Sequence, residues 1–277
     1  MKTTVAKTLV AIAALLQSAA ASRAADLHPI VEVESGYLFG AISDRKWIKA
    51  DETAKLIGEE TTYRVYGLTQ ALGDAKGGKP TSEGEPCDET LTVSLSPETE
   101  KGVIAIVAPW NALPRKPQVT DPTQKVYVEA VRDFLKTKGI EQPEVKIDNI
   151  LRVDLDGDGE EEVLISATNY FSKDESVPMR SPAASYSMVL LRRVVAGKVE
   201  TQLVVGEFYP KAYPKAKQEE GRFDAPNVYK VIATLDLDGD GKMEVVIHSY
   251  YYEGGETTIY RCGPKKNEAL LSVACGA

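Results

Sequence analysis

The sequence predicts an α+β protein, mainly antiparallel β, made of an N-terminal β-rich region, one amphipathic helix and two four-stranded meanders. Three observations carry this prediction. The nonapeptide Asp154-Leu155-Asp156-Gly157-Asp158-Gly159-Glu160-Glu161-Glu162 returns 82 residues later as Asp236-Leu237-Asp238-Gly239-Asp240-Gly241-Lys242-Met243-Glu244, with the same D-x-D-x-D-G-x-x-E spacing. Each copy runs into an apolar stretch rich in β-branched residues, Val163-Leu164-Ile165 and Val245-Val246-Ile247, the pattern of a buried strand. Upstream of both lies the best helical periodicity in the chain, Asp121 to Gly139.

In chain order, residues 1–24 carry the marks of a secretory signal peptide: Lys2 and Lys7, the apolar run Leu9 to Leu16, and an A-x-A-like site that suits cleavage after Ala21 or Ala24. Residues 26–120 then read as a β-rich region. Ile30 to Gly40, Thr62 to Leu68, Glu89 to Leu95 and Val103 to Pro109 have extended character, Ala50 to Ile57 has helical character, and the Gly-, Pro- and charge-rich Gly73 to Asp88 reads as an exposed loop. Residues 121–277 hold the helix and the duplicated units, about 145–208 and 228–277. Asp121 is placed to cap the helix, with Pro122 at its first position and Gln124 at its third, as in a capping box. Tyr127, Ala130, Val131, Phe134 and Leu135 share one face, and Gly139 ends it; that face is expected to pack on a sheet.

In the first unit the strands are expected at Asn149 to Val153, Glu162 to Tyr170, Tyr186 to Val194 and Val199 to Phe208. In the second they are Lys230 to Leu235, Glu244 to Tyr252, Thr257 to Cys262 and Glu268 to Cys275. Ala196-Gly197-Lys198 and Gly263 to Asn267 supply the last turns. The units differ mainly in the polar Ser172 to Ser185 excursion, which the second replaces with Glu253 to Glu256.

Carboxylates at positions 1, 3 and 5 of a tight turn converge on one point, and the Gly at position 6 permits the bend. Oxygen-only donors suit calcium, whereas zinc and copper favour His or Cys, which neither loop contains. Position 12, where an EF-hand has its bidentate Glu, is Ile165 in one copy and Ile247 in the other, so the closing carboxylate has to come from position 9. The expected ligands are Asp154, Asp156, Asp158, Glu162 and the Glu160 carbonyl in one loop, and Asp236, Asp238, Asp240, Glu244 and the Lys242 carbonyl in the other. Loops of this form between strands resemble the FG-GAP and VCBS repeats of extracellular proteins, including the calcium loops of integrin alpha-subunit propellers. The resemblance covers the two loops and their flanking strands. It implies that each loop joins the first two strands of a propeller-blade-like unit, that two Ca2+ ions bind, and that a cell-surface protein or glycan is the partner. Two copies are too few for a complete propeller, which needs at least four blades.

The formal charge is −8, and removal of Lys2, Lys7 and Arg23 with the leader leaves 30 basic residues against 41 acidic ones, a net of −11. Nucleic acid is therefore not an expected partner, and no apolar run reaches the length of a transmembrane helix. Export, to a periplasm or outside the cell, is the expected destination. Three cysteines leave one thiol over whichever pair forms. With the last hairpin centred near Lys265, Cys262 would face Ala269, too far from Cys275 to bridge it; Cys87–Cys275 is the preferred pair and free buried thiols the alternative.

Catalytic patterns are weak. Gly73 to Lys79 approaches a phosphate loop, but Pro80 stands where Ser or Thr must bind magnesium. His28 and His248 are the only histidines, and neither H-E-x-x-H nor G-x-S-x-G occurs. Tyr250, Tyr251 and Tyr252 offer rings beside a polar turn that could stack on sugar, with packing as the ordinary explanation. The expected role is that of a calcium-binding structural or binding protein rather than an enzyme. The alternative is a secreted hydrolase or glycan-binding protein in which calcium only supports the fold.

Overall fold

The computed structural model describes residues 27–170, 177–212, 214 and 225–276. The leader at 1–24 and the first part of the polar excursion fall outside the described residues. The architecture is mainly antiparallel β with two helices among the described residues, and none of their helices is long and apolar enough to cross a membrane.

The N-terminal region forms a seven-stranded sheet. Its strands are β1 (His28–Glu32), β2 (Leu38–Ser43), β3 (Lys46–Lys49), β4 (Thr61–Tyr66), β5 (Ala71–Gly77), β8 (Leu95–Ser96) and β9 (Ile104–Ile106), in the order β3-β2-β1-β9-β4-β5-β8. A two-stranded ladder of β6 (Thr81–Ser82) and β7 (Leu91–Thr92) stands beside it, and the helix α1 (Ala50–Ala54) follows β3.

Two expectations fail in this region for local reasons. Ile30 to Gly40 is not one extended run but a hairpin. Glu32 turns its carboxylate onto the N–H groups of Glu34 and Ser35, at 2.9 and 2.8 Å, and Gly36 takes φ +72° with the Val93 carbonyl so close that a Cβ would lie 2.9 Å from it. The start of the expected Gly73 to Asp88 loop is strand β5, paired with β4 from Thr61↔Gly77 to Tyr66↔Ala71. Its glycine content reflects close packing: a Cβ on Gly77 would sit 2.6 Å from Val93 and 2.8 Å from Tyr63.

The C-terminal half forms two sheets. The first holds β10 (Gln118–Thr120), β11 (Ile147–Val153), β12 (Glu162–Thr168), β13 (Ser185–Val195) and β14 (Lys198–Tyr209), and the second β15 (Val228–Leu235), β16 (Glu244–Tyr251), β17 (Gly254–Cys262) and β18 (Asn267–Gly276). Strand order follows chain order in both, as expected for meanders. The first has a fifth strand, because β10, only three residues long and too short for a pattern, pairs with β11. Val195 pairs with Lys198 across a two-residue turn in which Ala196 and Gly197 both have positive φ, 50° and 75°, the backbone that matches the twist of a tight hairpin.

Helix α2 (Lys125–Thr137) buries Tyr127, Val131 and Leu135 against Ile150, Ile165, Tyr186 and Met188 of the five-stranded sheet. Its start differs from expectation. Asp121 accepts both the N–H and the hydroxyl of Thr123 at 2.8 Å, forming a separate turn, and the helix begins only after Gln124, with no side-chain cap. Its end agrees: Gly139 at φ +82° lets the N–H of Ile140 return to the Leu135 carbonyl.

One core joins the three larger sheets. Ile30, Ile104 and Ile106 of the N-terminal sheet meet Leu151, Leu164 and Leu191 of the second and Val231, Val245 and Ile259 of the third. A disulfide between Cys87 and Cys275, with Cα atoms 5.5 Å apart, ties the N-terminal region to β18 and leaves Cys262 as the free thiol. Cys262 pairs with Asn267 rather than with Ala269, because the last turn is tighter than a centre at Lys265 implies.

Candidate metal centres

Both acidic loops close the first hairpin of their sheet. Val153 pairs with Glu162 across one, Leu235 with Glu244 across the other, so positions 1 to 8 form the turn and position 9 opens the next strand. The turns are built alike. Asp154 accepts the N–H of Gly157 at 2.7 Å and of Gly159 at 3.1 Å; Asp236 accepts those of Gly239 at 2.8 Å and Gly241 at 3.1 Å. The glycines at positions 4 and 6 all take positive φ, between 72° and 91°, so the backbone amides turn inward onto the first Asp. Glu162 reaches back to the N–H of Leu155 at 2.8 Å, and Glu244 to that of Leu237 at 3.0 Å.

This scaffold brings positions 1, 3 and 9 together. One carboxylate oxygen from each of Asp154, Asp156 and Glu162 lies within 4.8 Å of the others, and Asp236, Asp238 and Glu244 do the same. Glu162, Asp236 and Glu244 are buried, whereas Asp156 is exposed. The position-5 residues stand outside each trio. Asp158 accepts the Glu160 N–H, and Asp240 the Lys242 N–H, both at 2.8 Å. Glu160 and Lys242 are exposed at position 7.

Burial pushes the Glu162 carboxyl above its ordinary range, with Asp156 and Asp158 adding to the effect and the Leu155 N–H opposing it. Burial, joined by the Asp238 charge, pushes Glu244 up to about 8. Asp236 and Asp238 are also raised, chiefly by burial. Crowded carboxylates that resist ionising are a site short of positive charge, and a cation supplies it. The donors are all oxygen, so the trios fit a hard cation: two acidic clusters here can hold a metal ion.

Sequence reasoning missed the arginines. Tyr260 pairs with Val245, which places Arg261 beside Glu244; its terminal nitrogen lies 2.6 Å from Asp238 and its Nε 3.6 Å from Glu244. Arg192 pairs with Val163, so Arg193 holds the same station beside Glu162, and its charge opposes the rise of that carboxyl. Its terminal nitrogen donates instead to the Cys262 carbonyl at 3.0 Å. The two centres therefore differ in their built-in counter-charge. The signal was present as an Arg on the third strand of each unit, masked by the inserted excursion that changes its offset.

Trp110 and Arg115, from the segment before β10, were also missed. The Trp110 indole donates to the Asp236 carbonyl at 2.8 Å and its ring covers Gly239, while Arg115 lies over Gly157.

The other sequence candidates lie elsewhere. Gly73 to Gly77 are part of a paired strand, so they do not wrap a phosphate. His28 is buried with its ring edge against Trp110, 4.7 Å between centroids. His248 shares a hydrogen bond of 2.9 Å with Thr257, and burial lowers its pKa. Together with Tyr37, Tyr250 and Glu34 it lines a cleft of about 260 Å³ between the 33–37 turn and the last sheet. No family model, curated protein or solved structure matches the chain, so the meaning of the centres rests on their own geometry.

Proposed function

We propose that both centres bind Ca2+ and that the protein is an exported calcium-stabilised β-repeat module with a structural or binding role. The observation that carries this is the repetition, in register, of one oxygen-only trio at the mouth of the same hairpin, each closed by a buried position-9 carboxylate. Asp154, Asp156 and Glu162 hold one ion and Asp236, Asp238 and Glu244 the other. Asp158, Asp240 and the carbonyls of Glu160 and Lys242 complete the shells, because calcium requires 6 to 8 oxygens. When bound, the ion supplies positive charge and fastens the turn. It performs no chemistry in this reading.

The resemblance of the loops to FG-GAP and VCBS repeats and the leader-like residues 1–24 support an extracellular or periplasmic setting, where weak sites suffice. At a dissociation constant of roughly 0.1 mM, about 1 mM calcium stabilises the fold by about 1.4 kcal/mol per site. A cell-surface protein or glycan is the partner class this reading favours.

Thermal melting of the mature chain in calcium, magnesium and chelator tests the proposal. Calcium is expected to raise Tm by roughly 5–10 °C over chelator, with at least half that gain lost in Asp154→Ala or Asp236→Ala. An unchanged Tm in calcium would remove the proposal.

A further inference from the structure

Arg115 touches both loops. Its Nε donates to the Asp154 carbonyl at 2.5 Å, and one terminal nitrogen donates to the carbonyls of Leu155 at 3.2 Å and Gly241 at 2.8 Å. These are positions 1 and 2 of the first loop and position 6 of the second. A main-chain bond runs the same way, from the Met243 N–H to the Leu155 carbonyl at 2.7 Å. The Asp236 N–H is held by the Ala112 carbonyl at 2.8 Å, so the segment that carries Arg115 is itself anchored to the second loop.

We propose that Arg115 is a positioning residue that couples the two centres, so that a cation in one loop pre-orders the other and the two ions bind cooperatively. This rests on the calcium reading of the centres. The route is short. The Gly241 carbonyl adjoins Lys242, whose own carbonyl is the position-7 ligand, so an ion in the second loop fixes the acceptor to which Arg115 is bonded. A fixed guanidinium then holds the backbone of Asp154 and Leu155, the residues that present the first carboxylate and receive Glu162. Ordering entropy lost on filling one loop is not lost again on filling the other, which gives positive cooperativity without a change of fold. Repulsion between the ions opposes this, and salt weakens it. Lysine cannot substitute, because its three donors radiate from one point whereas the guanidinium is a rigid fork.

Calorimetric titration with calcium alone, on the full mature chain, tests the coupling. Wild type should fill two sites with a Hill coefficient above 1. Disabling one loop with Asp156→Asn or Asp238→Asn should weaken the other by about 5-fold or more. In an Arg115→Met or Arg115→Lys background, disabling one loop should leave the affinity of the other unchanged. Should the arginine variants fail to fold, hydrogen exchange answers the question in Asp156→Asn: calcium should still slow the Gly157 and Gly159 amides through the intact second loop. Two wild-type sites that fill independently, or coupling that survives Arg115→Met, would overturn the proposal while leaving the calcium reading intact. Absence of any calcium uptake would instead sink the calcium reading and the coupling with it.

Discussion

Glu244 condenses the electrostatics of the second centre. Its carboxyl is pushed up to about 8 by burial and by Asp238, well above the value of about 4.3 expected in an unfolded chain. Between these values the folded state binds a proton that the unfolded state has already released, so Glu244's contribution to stability is fully present below about pH 4.3 and lost as pH rises through about 8. In chelator, the protein should lose at least ~1 kcal/mol between pH 5 and pH 9 by denaturant unfolding, and Glu244→Gln should flatten that slope; a profile unaffected by the substitution would contradict it. Cys262 offers a second test. Burial pushes its thiol up to about 12, so at pH 8 it should resist a thiol reagent in the native protein and react with a stoichiometry of one after unreduced unfolding. The carboxylates were legible in the sequence because their spacing is local. Arg193, Arg261, Trp110 and Arg115 were not, because each reaches its loop only through strand pairing or through contacts between 39 and 126 residues apart in the chain.

Among the elements, the meanders were legible almost strand by strand, since Val-, Ile- and Leu-rich runs bounded by Asp-Gly or Ala-Gly turns leave little choice of register. The N-terminal sheet was less so. Strand β5 carries glycines where Tyr63 and Val93 press on its backbone, and glycine in a sequence signals a loop more often than a crowded strand. The helix was legible in its buried face and in Gly139, but its cap was not, because Asp121 and Thr123 satisfy each other instead. These details predict a contrast in α2. Leu135→Ala should cost about 2–5 kcal/mol in chemical unfolding, since it empties a fully buried position. Asp121→Ala should cost clearly less than Leu135→Ala, as expected of an exposed turn rather than a helix cap. A larger loss for Asp121 than for Leu135 would reverse the account of how this helix is held.

For the whole molecule, three sheets share one core, and the chain's end is tied to its first half by Cys87–Cys275. The disulfide closes a separation of 188 residues, so Cys275→Ser should lower stability by about 2–4 kcal/mol in calcium and in chelator alike. The acidic clusters lie where the two C-terminal sheets meet Trp110 and Arg115, so each is braced by a segment outside its own turn. On the proposed calcium reading, chelation should therefore soften the shared core rather than release a single loop. Equilibrium dialysis of the mature chain against about 1 mM calcium at physiological salt tests the central claim most directly. The account predicts two calcium ions per chain, at most one in Asp154→Ala or Asp236→Ala and none when both are changed; no bound calcium, or a count that ignores both substitutions, would contradict it.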